Sequence, residues 1–203
     1  MNILQILPEL NVGGVERGVV DLSHYLKKQG HKVVVVSNGG RLVSELEKEA
    51  ITHYKLVVHK KSFFSILRMI KEVSCIIRKE DIEIIHARSR VPAWIGLIAS
   101  WLTETKFITT CHGYYSQHFF SRVMGWAKLV IVPSLVIKRH MIEDFSVPES
   151  RTRLIARSVD LERFKFSKPR QDTKKIIVGM VGRLTPLKGH IDFLKAMAKV
   201  VRV

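Results

Sequence analysis

The chain has 203 residues, 46% of them apolar, and carries 34 Lys and Arg against 18 Asp and Glu, a formal net charge of +16. That length holds one full domain and part of a second, and the basic excess favours anionic partners: phosphorylated ligands, an anionic membrane face or nucleic acid. Two cysteines, Cys75 and Cys111, exclude a disulfide framework, and reduced thiols in a cytoplasmic protein are the simpler expectation. Met1-Asn2-Ile3 lacks the basic start of a secretory signal, and the longest apolar run, 91–102, falls short of the roughly 20 residues a bilayer-spanning helix needs.

Residues 2–7 are short, apolar and closed by Pro8, the pattern of a strand covered on both faces. Gly13 and Gly14 turn the chain into a helix with Val15, Val19, Leu22 and Leu26 at helical spacing, stopped by Gly30. The amides of that helix start favour an anion, and two missing Cβ atoms let a ligand approach the backbone. A plain strand-to-helix turn uses glycine equally well. The pattern is not G-x-G-x-x-G, so the dinucleotide fingerprint is absent. Residues 31–37, with four consecutive valines, read as a second strand, 42–49 as a short helix and 53–58 as a third strand. The longest helix is expected over 62–80, with Phe63, Ile66, Leu67, Ile70, Val73 and Ile77 as its apolar stripe.

A strand over 83–86 follows, then Pro92 opening a helix to 102, a strand over 106–110, a helix over 117–127 and a strand over 129–132. Ser134 is placed to cap a helix over 135–145, and 152–156 is the last strand. Such alternation means α/β architecture with a doubly wound parallel sheet. Residues 166–175 are polar, contain Pro169, show no periodicity and read as a linker. Beyond them come a strand over 176–181, a loop over 182–189 and a helix over 190–201. One such unit makes no sheet. The expected organisation is a domain over 1–165, a linker over 166–175 and, over 176–203, the start of a second, incomplete domain.

Ligands of an open parallel sheet bind beyond the carboxyl ends of its strands. The polar residues there are Gly13-Gly14, the run His86-Ala87-Arg88-Ser89-Arg90, Cys111-His112-Gly113 and Pro133-Ser134. Arg88 and Arg90 offer cationic forks suited to phosphate, or are solvated surface. His112 can hydrogen-bond a substrate hydroxyl or move a proton, or is structural. Cys111 is not its partner, because neighbours on a strand point to opposite faces. No Asp-x-Asp, Cys-x-x-Cys or His-Glu-x-x-His occurs, so a protein-held metal is not expected. Arg183 and Lys188, in the 182–189 loop, set two cations beside backbone amides where a diphosphate could lie, although the loop is not a P-loop.

In chain order, Asn2-Ile3-Leu4-Gln5-Ile6-Leu7, Gly13-Gly14-Val15-Glu16-Arg17-Gly18, Ile85-His86-Ala87-Arg88-Ser89-Arg90, Thr110-Cys111-His112-Gly113, Pro133-Ser134, Val159-Asp160-Leu161-Glu162-Arg163-Phe164 and Gly182-Arg183-Leu184 to Lys188-Gly189 resemble the retaining family 4 glycosyltransferases of the GT-B fold. The likeness is greatest to bacterial members that build lipopolysaccharide or other envelope glycans. It implies two Rossmann-like domains facing a cleft, the first binding the acceptor and the second a nucleotide-diphospho sugar, which is substrate and not cofactor. It implies that Gly13 and Gly14 approach the donor, that His112 lies near the reacting sugar and that Arg183 and Lys188 stabilise the leaving diphosphate. Glu16, His86, Arg88, Arg90 and Ser134 would line the cleft or meet the acceptor.

Two departures stand out. Ala156-Arg157-Ser158-Val159-Asp160 replaces the family's Pro-x-Gly-Val-Asp, and the family's Glu-x₇-Glu region lies beyond Val203. The expectation is therefore the front half of an enzyme, inactive without a complementing carboxyl-terminal half. A glycan or lipid-linked acceptor implies cytoplasmic residence with peripheral contact at the inner face of the plasma membrane. Lys60, Lys61, Arg68, Lys71, Arg78 and Lys79 offer an anionic bilayer a basic face. The rival reading is a basic membrane- or nucleic-acid-binding module without catalysis. No RNA-binding motif is present, and nucleic acid is not expected as a partner.

Overall fold

The computed structural model describes residues 1–60, 62–159, 161, 164–167, 176–182 and 184–201. The chain divides into two units, Met1–Ser158 and Val159–Val203. In the first, β1 (Asn2–Ile6), β2 (Lys32–Ser37), β3 (Thr52–Lys55), β4 (Ile84–Ala87), β5 (Lys106–Thr110), β6 (Leu129–Val132) and β7 (Thr152–Leu154) form one sheet. All neighbours are parallel and the order is β3-β2-β1-β4-β5-β6-β7.

Helices cover both faces, which is why the strands read as unbroken apolar runs. Along β2, Val34 and Val36 join one core while Val33 and Val35 join the other. Helices α1 (Gly14–Lys28) and α2 (Val43–Lys48) close the second core through Val19, Val20 and Leu46. Helices α3 (Phe63–Lys79), α4 (Arg90–Thr103) and α6 (Leu135–Glu143) close the first. The chain winds outward from β1 to β3, and α3 then carries it back to β4 on the other side of β1. β1 and β4 are thus neighbours whose following segments leave toward opposite faces. The crevice at such a switch point is where a doubly wound sheet places its ligand.

Three expectations need correction. The helix expected over 117–127 is a short α5 (Phe119–Arg122) followed by a 3₁₀ turn at Val123–Gly125. The Met124 carbonyl there accepts a 2.7 Å bond from Thr109 Oγ1 on β5 in place of a helical amide. On α3, Phe63 and Leu67 are 69% and 49% exposed, and the buried face is Met69, Ile70, Val73, Ile76 and Ile77. The helix packs on α4 as well as on the sheet, which rotates its buried arc toward Met69 and Ile76. In the second unit, 176–181 form no strand, and Ile176 and Ile177 are open to solvent. A lone strand finds no neighbour to complete its hydrogen bonds. Helix α7 (His190–Val200) does form, entered from Gly189 at φ 68. Most of the expected linker lies outside the described residues.

The segment leading to Gly13 is pinned from the side. Leu10 is fully buried, its amide donates to the Gly39 carbonyl at 2.8 Å, and its own carbonyl accepts from Leu42 N at 2.8 Å. Gly40, at φ 142, crosses directly beneath, and a Cβ there would overlap the Leu10 carbonyl and come within 2.7 Å of Asn11 N. Arg17 makes a two-pronged bond from α1 to Glu45 of α2, at 2.6 and 2.7 Å. Gly40→Ala adds both backbone strain and this overlap. We expect it to lower the unfolding free energy by about 2–3 kcal/mol in urea titrations; a change under about 0.5 kcal/mol would contradict the account.

Candidate functional site

The site begins with one polar residue in an apolar strand. Gln5 of β1 is fully buried. Its Nε2 donates to Ser23 Oγ at 2.6 Å and to the Val19 carbonyl at 3.2 Å, both on α1. With the amide nitrogen committed to the helix, Oε1 is left facing the other way, where Arg88 Nη2 donates to it at 2.9 Å. Arg88 follows β4 directly, so this bond crosses the switch point between β4 and β1. Arg88 is only 8% exposed, and its Nε is buried with no partner among the described residues. Burial, and then the charge of Arg157, push its guanidinium down to about 10, so it stays charged at neutral pH.

Arg157, beyond β7, completes the cluster. Its Nη1 lies 2.5 Å from where a Cβ on Gly14 would stand, and Arg88 Nη1 lies 3.9 Å from the corresponding point on Gly18. Gly14 and Gly18 are one turn apart on the same face of α1. The two guanidinium heads therefore lie along the opening turns of that helix. Gly13 caps α1 with no side-chain hydrogen bond, so the first amides have no such acceptor. The Glu16 carboxylate folds back over Gly13 into the space a Cβ would fill.

His112 follows β5 and accepts a bond from Arg157 Nη2 at Nδ1, 3.2 Å away. A guanidinium only donates, so Nδ1 presents its lone pair and the ring proton sits on Nε2. That Nε2 is buried with no partner among the described residues. Burial, Arg88 and Arg157 push His112 down to about 3, so the ring is neutral. The loop beyond it is held too: Tyr115 N donates to His140 Nε2 at 3.1 Å, and His140 Nδ1 meets Asp144 at 2.5 Å.

The remaining sequence candidates separate. His86 is 3% exposed and bonded to Thr110 Oγ1 at 2.7 Å, so it supports the site from beneath and does not line it. Burial and then Arg88 hold it well below the usual histidine range. Arg90 does not pair with Arg88; it turns to Ser121 Oγ at 3.3 Å and lies over the Tyr115 ring. Ser134 accepts from Ile137 N at 3.3 Å as the cap of α6. The Cys111 thiol is buried and pushed up to about 12, which removes it as a nucleophile. Lys188 lies in a 3₁₀ turn of the second unit, and Arg183 falls outside the described residues. Among the described residues no group of three or more His, Cys, Asp or Glu side chains is placed to hold a metal ion. Sequence reading missed Gln5 and Arg157. Their signals were a lone amide inside a doubly covered strand and an arginine where the motif departs from its pattern.

Residues 12–163 match the model of Glycosyltransferase Family 4. A glycosyltransferase of Rickettsia africae ESF-5 superposes with a TM-score of 0.84 at 33% identity, covering 98% of this chain and 57% of that one. Anabaena Alr3699/HepE, solved in complex with UDP and glucose, shares the fold with a TM-score of 0.65 at 17% identity, over 83% of this chain and 47% of its own. A phosphatidylinositol N-acetylglucosaminyltransferase component of Arabidopsis thaliana is 24% identical over 95% of this chain. The chain spans about half the length of the curated relatives it matches, 47% in both cases.

His86 and His112, with His53 of β3 also held down chiefly by burial, make stability depend on pH with a definite sign. Unfolded, each takes up a proton near pH 6.5; folded, His112 resists until about 3 and His86 also titrates low. Below pH 6.5 the unfolded state binds more protons, so stability is full above that pH and falls as the solution is acidified. Each histidine costs up to about 1.4 kcal/mol per pH unit in that window. Urea unfolding should lose stability between pH 7 and 5, and His112→Asn should flatten the slope. A wild-type stability unchanged over that interval would contradict these assignments.

Proposed function

The chain belongs to Glycosyltransferase Family 4, and from that premise we propose that its first unit is the acceptor-side half of an enzyme that moves a sugar from a nucleotide-diphospho sugar to a glycan or lipid-linked acceptor with retention. In this reading the second unit begins the donor-binding domain. The carrying observation is His112, a neutral ring whose Nε2–H has no partner among the described residues and whose Nδ1 accepts from Arg157, the guanidinium that also reaches Gly14. In the transfer, the bond from the anomeric carbon to the diphosphate breaks. A bond from the acceptor oxygen forms, the diphosphate leaves with the bonding electrons and develops negative charge, and the acceptor proton passes to a departing diphosphate oxygen. Fixed cations and helix amides are suited to that charge; the resemblance gives the same role to Arg183 and Lys188. A ring that resists protonation down to about pH 3 is a poor base. His112 therefore acts as a hydrogen-bond donor to a sugar hydroxyl.

The acceptor reading also calls for access to a bilayer, and α3 supplies a face for it. Among the described residues no helix is long and apolar enough to cross a membrane. Phe64, 82% exposed, and Leu67 share the solvent side of α3 with Arg68 and Lys71. Arg78 and Lys79 have partners of their own: Arg78 donates to the Leu102 carbonyl at 3.3 Å, and Lys79 lies over the Tyr54 ring. Apolar side chains ringed by cations suit peripheral attachment to anionic lipid. This reading puts the protein in the cytoplasm at the inner face of the plasma membrane.

Radiolabelled nucleotide sugars test the first reading. The 203-residue chain alone should give no turnover. Supplied with a family-type carboxyl-terminal half bearing Glu-x₇-Glu, it should. In that complex His112→Ala should lower kcat/KM at least about 100-fold, while His112→Gln, which keeps a donor, retains more. Turnover by the chain alone, or full activity of His112→Ala, would overturn it.

Vesicle sedimentation tests the second. Binding should need anionic lipid, weaken with salt and drop at least about tenfold when Arg68 and Lys71 become Gln. Equal binding to neutral vesicles would remove α3 as the contact.

A further inference from the structure

Helix α6 buries Ile137, His140 and Met141. A histidine on that face is costly unless both ring nitrogens are paired, and both are. His140 is 5% exposed; its Nδ1 meets Asp144 Oδ2 at 2.5 Å, at the end of the same helix, and its Nε2 lies 3.1 Å from Tyr115 N. A backbone amide only donates, so Nε2 is the bare nitrogen and the ring proton sits on Nδ1, donated to the carboxylate. Asp144 thus selects the tautomer that can accept from Tyr115. The Tyr114 ring lies against His140 with centroids 4.4 Å apart, and Phe145 meets it edge-on at 5.2 Å, which fixes the plane of the ring.

Tyr115 is the anchor of the loop that carries His112. Cys111 N still belongs to the sheet and donates to the Ile131 carbonyl at 2.9 Å. After it, Gly113 has open space where a Cβ would stand, so no neighbour packs against that side of the loop. Among the described residues the next loop amide bonded to another element is Tyr115 N. Tyr115 packs on the first core, and Arg90 Cζ stands 5.6 Å over its ring. Burial, and then Cys111, push its phenol up to about 12, while a hydrogen bond with the His112 backbone works the other way. One residue therefore takes its place from α6 at its amide and passes it to His112 at its hydroxyl.

We infer that His140, held in one tautomer by Asp144, is a positioning residue for the sugar transfer: by accepting from Tyr115 N it sets the loop after β5 and the direction of the His112 Nε2–H. This rests on the transfer reading, in which His112 donates to a sugar hydroxyl, and adds to it two residues at the far end of α6 that act only through Tyr115. A shift of about 1 Å in a group that meets the reacting substrate can cost on the order of 100-fold in rate.

Ring spectra of the 203-residue chain test the positioning without any turnover. Long-range ¹H–¹⁵N correlation should show His140 with its proton on Nδ1. His140→Phe keeps a ring between Tyr114 and Phe145 but removes the acceptor. Amide exchange at Tyr115 should then quicken at least about tenfold, and the His112 ring signals should shift or divide into several sets. His140→Gln, whose amide oxygen can accept from Tyr115 N, should return both toward wild type. Asp144→Ala, at a side chain 36% exposed, leaves the core packing untouched and should disturb Tyr115 and His112 in the same direction. Should His140→Phe not fold, Asp144→Ala decides alone. In the complemented enzyme His140→Phe should lower kcat at least about tenfold with KM for the nucleotide sugar within about twofold, and His140→Gln should recover most of the loss. His112 signals unchanged in both His140→Phe and Asp144→Ala, or a rise in KM with kcat unchanged, would overturn the inference. Absence of turnover in the wild-type complex would strike the transfer reading instead, and the ring spectra would still decide whether His140 sets His112.

Discussion

A guanidinium buried at the switch point, with no carboxylate partner among the described residues, is the constraint around which the first unit is arranged. Arg88 stays charged in a place where a charge is expensive, and the fold meets that cost with dipoles. Gln5 turns its carbonyl toward Arg88 because Ser23 and the Val19 carbonyl hold the amide's other end. The chain from Ser23 through Gln5 to Arg88 ties α1, β1 and β4 together where the winding reverses. Burial, and after it the Arg88 charge, keeps His86 and His112 neutral. His86 is satisfied by Thr110 beneath the surface, and His112 leans its lone pair on Arg157.

Neutrality decides the chemistry this arrangement can support. A protonated His112 would add a third positive charge to the crevice and would have no lone pair for Arg157. As the neutral Nε2–H tautomer it is a fixed donor, next to cations suited to an anionic leaving group. Family 4 membership rests on the match over 12–163; the reading of the crevice rests on which buried donors lack partners among the described residues.

Much of this was legible in the residues. Uninterrupted apolar strands alternating with amphipathic helices announce a doubly wound sheet, and Gly13, Gly14, Arg88 and His112 fall at strand ends, where such a sheet puts its ligand. Periodicity misjudged α3, because Phe63 and Leu67 satisfy the helical spacing yet face water; spacing finds a stripe but not its outer edge. Arg88 and Arg90, two residues apart, read as a pair. The start of α4 separates them, sending one to β1 and the other to Tyr115. Arg157 was visible only as a departure from a motif. Its meaning needed the fold to bring a segment beyond β7 onto α1. The expected strand at 176–181 failed for a different reason: apolar composition supplies a face but no neighbour.

The chemistry of the site rests on Arg157 holding His112 as the neutral Nε2–H tautomer. Long-range ¹H–¹⁵N correlation spectra of the histidine rings report it directly, because protonated and unprotonated ring nitrogens differ widely in shift. The account predicts one His112 resonance pattern with the proton on Nε2 and a bare Nδ1, unchanged from pH 8 down to 5, and mixed tautomers in Arg157→Gln. A ring that is protonated on both nitrogens at pH 6, or that carries its proton on Nδ1, would contradict it.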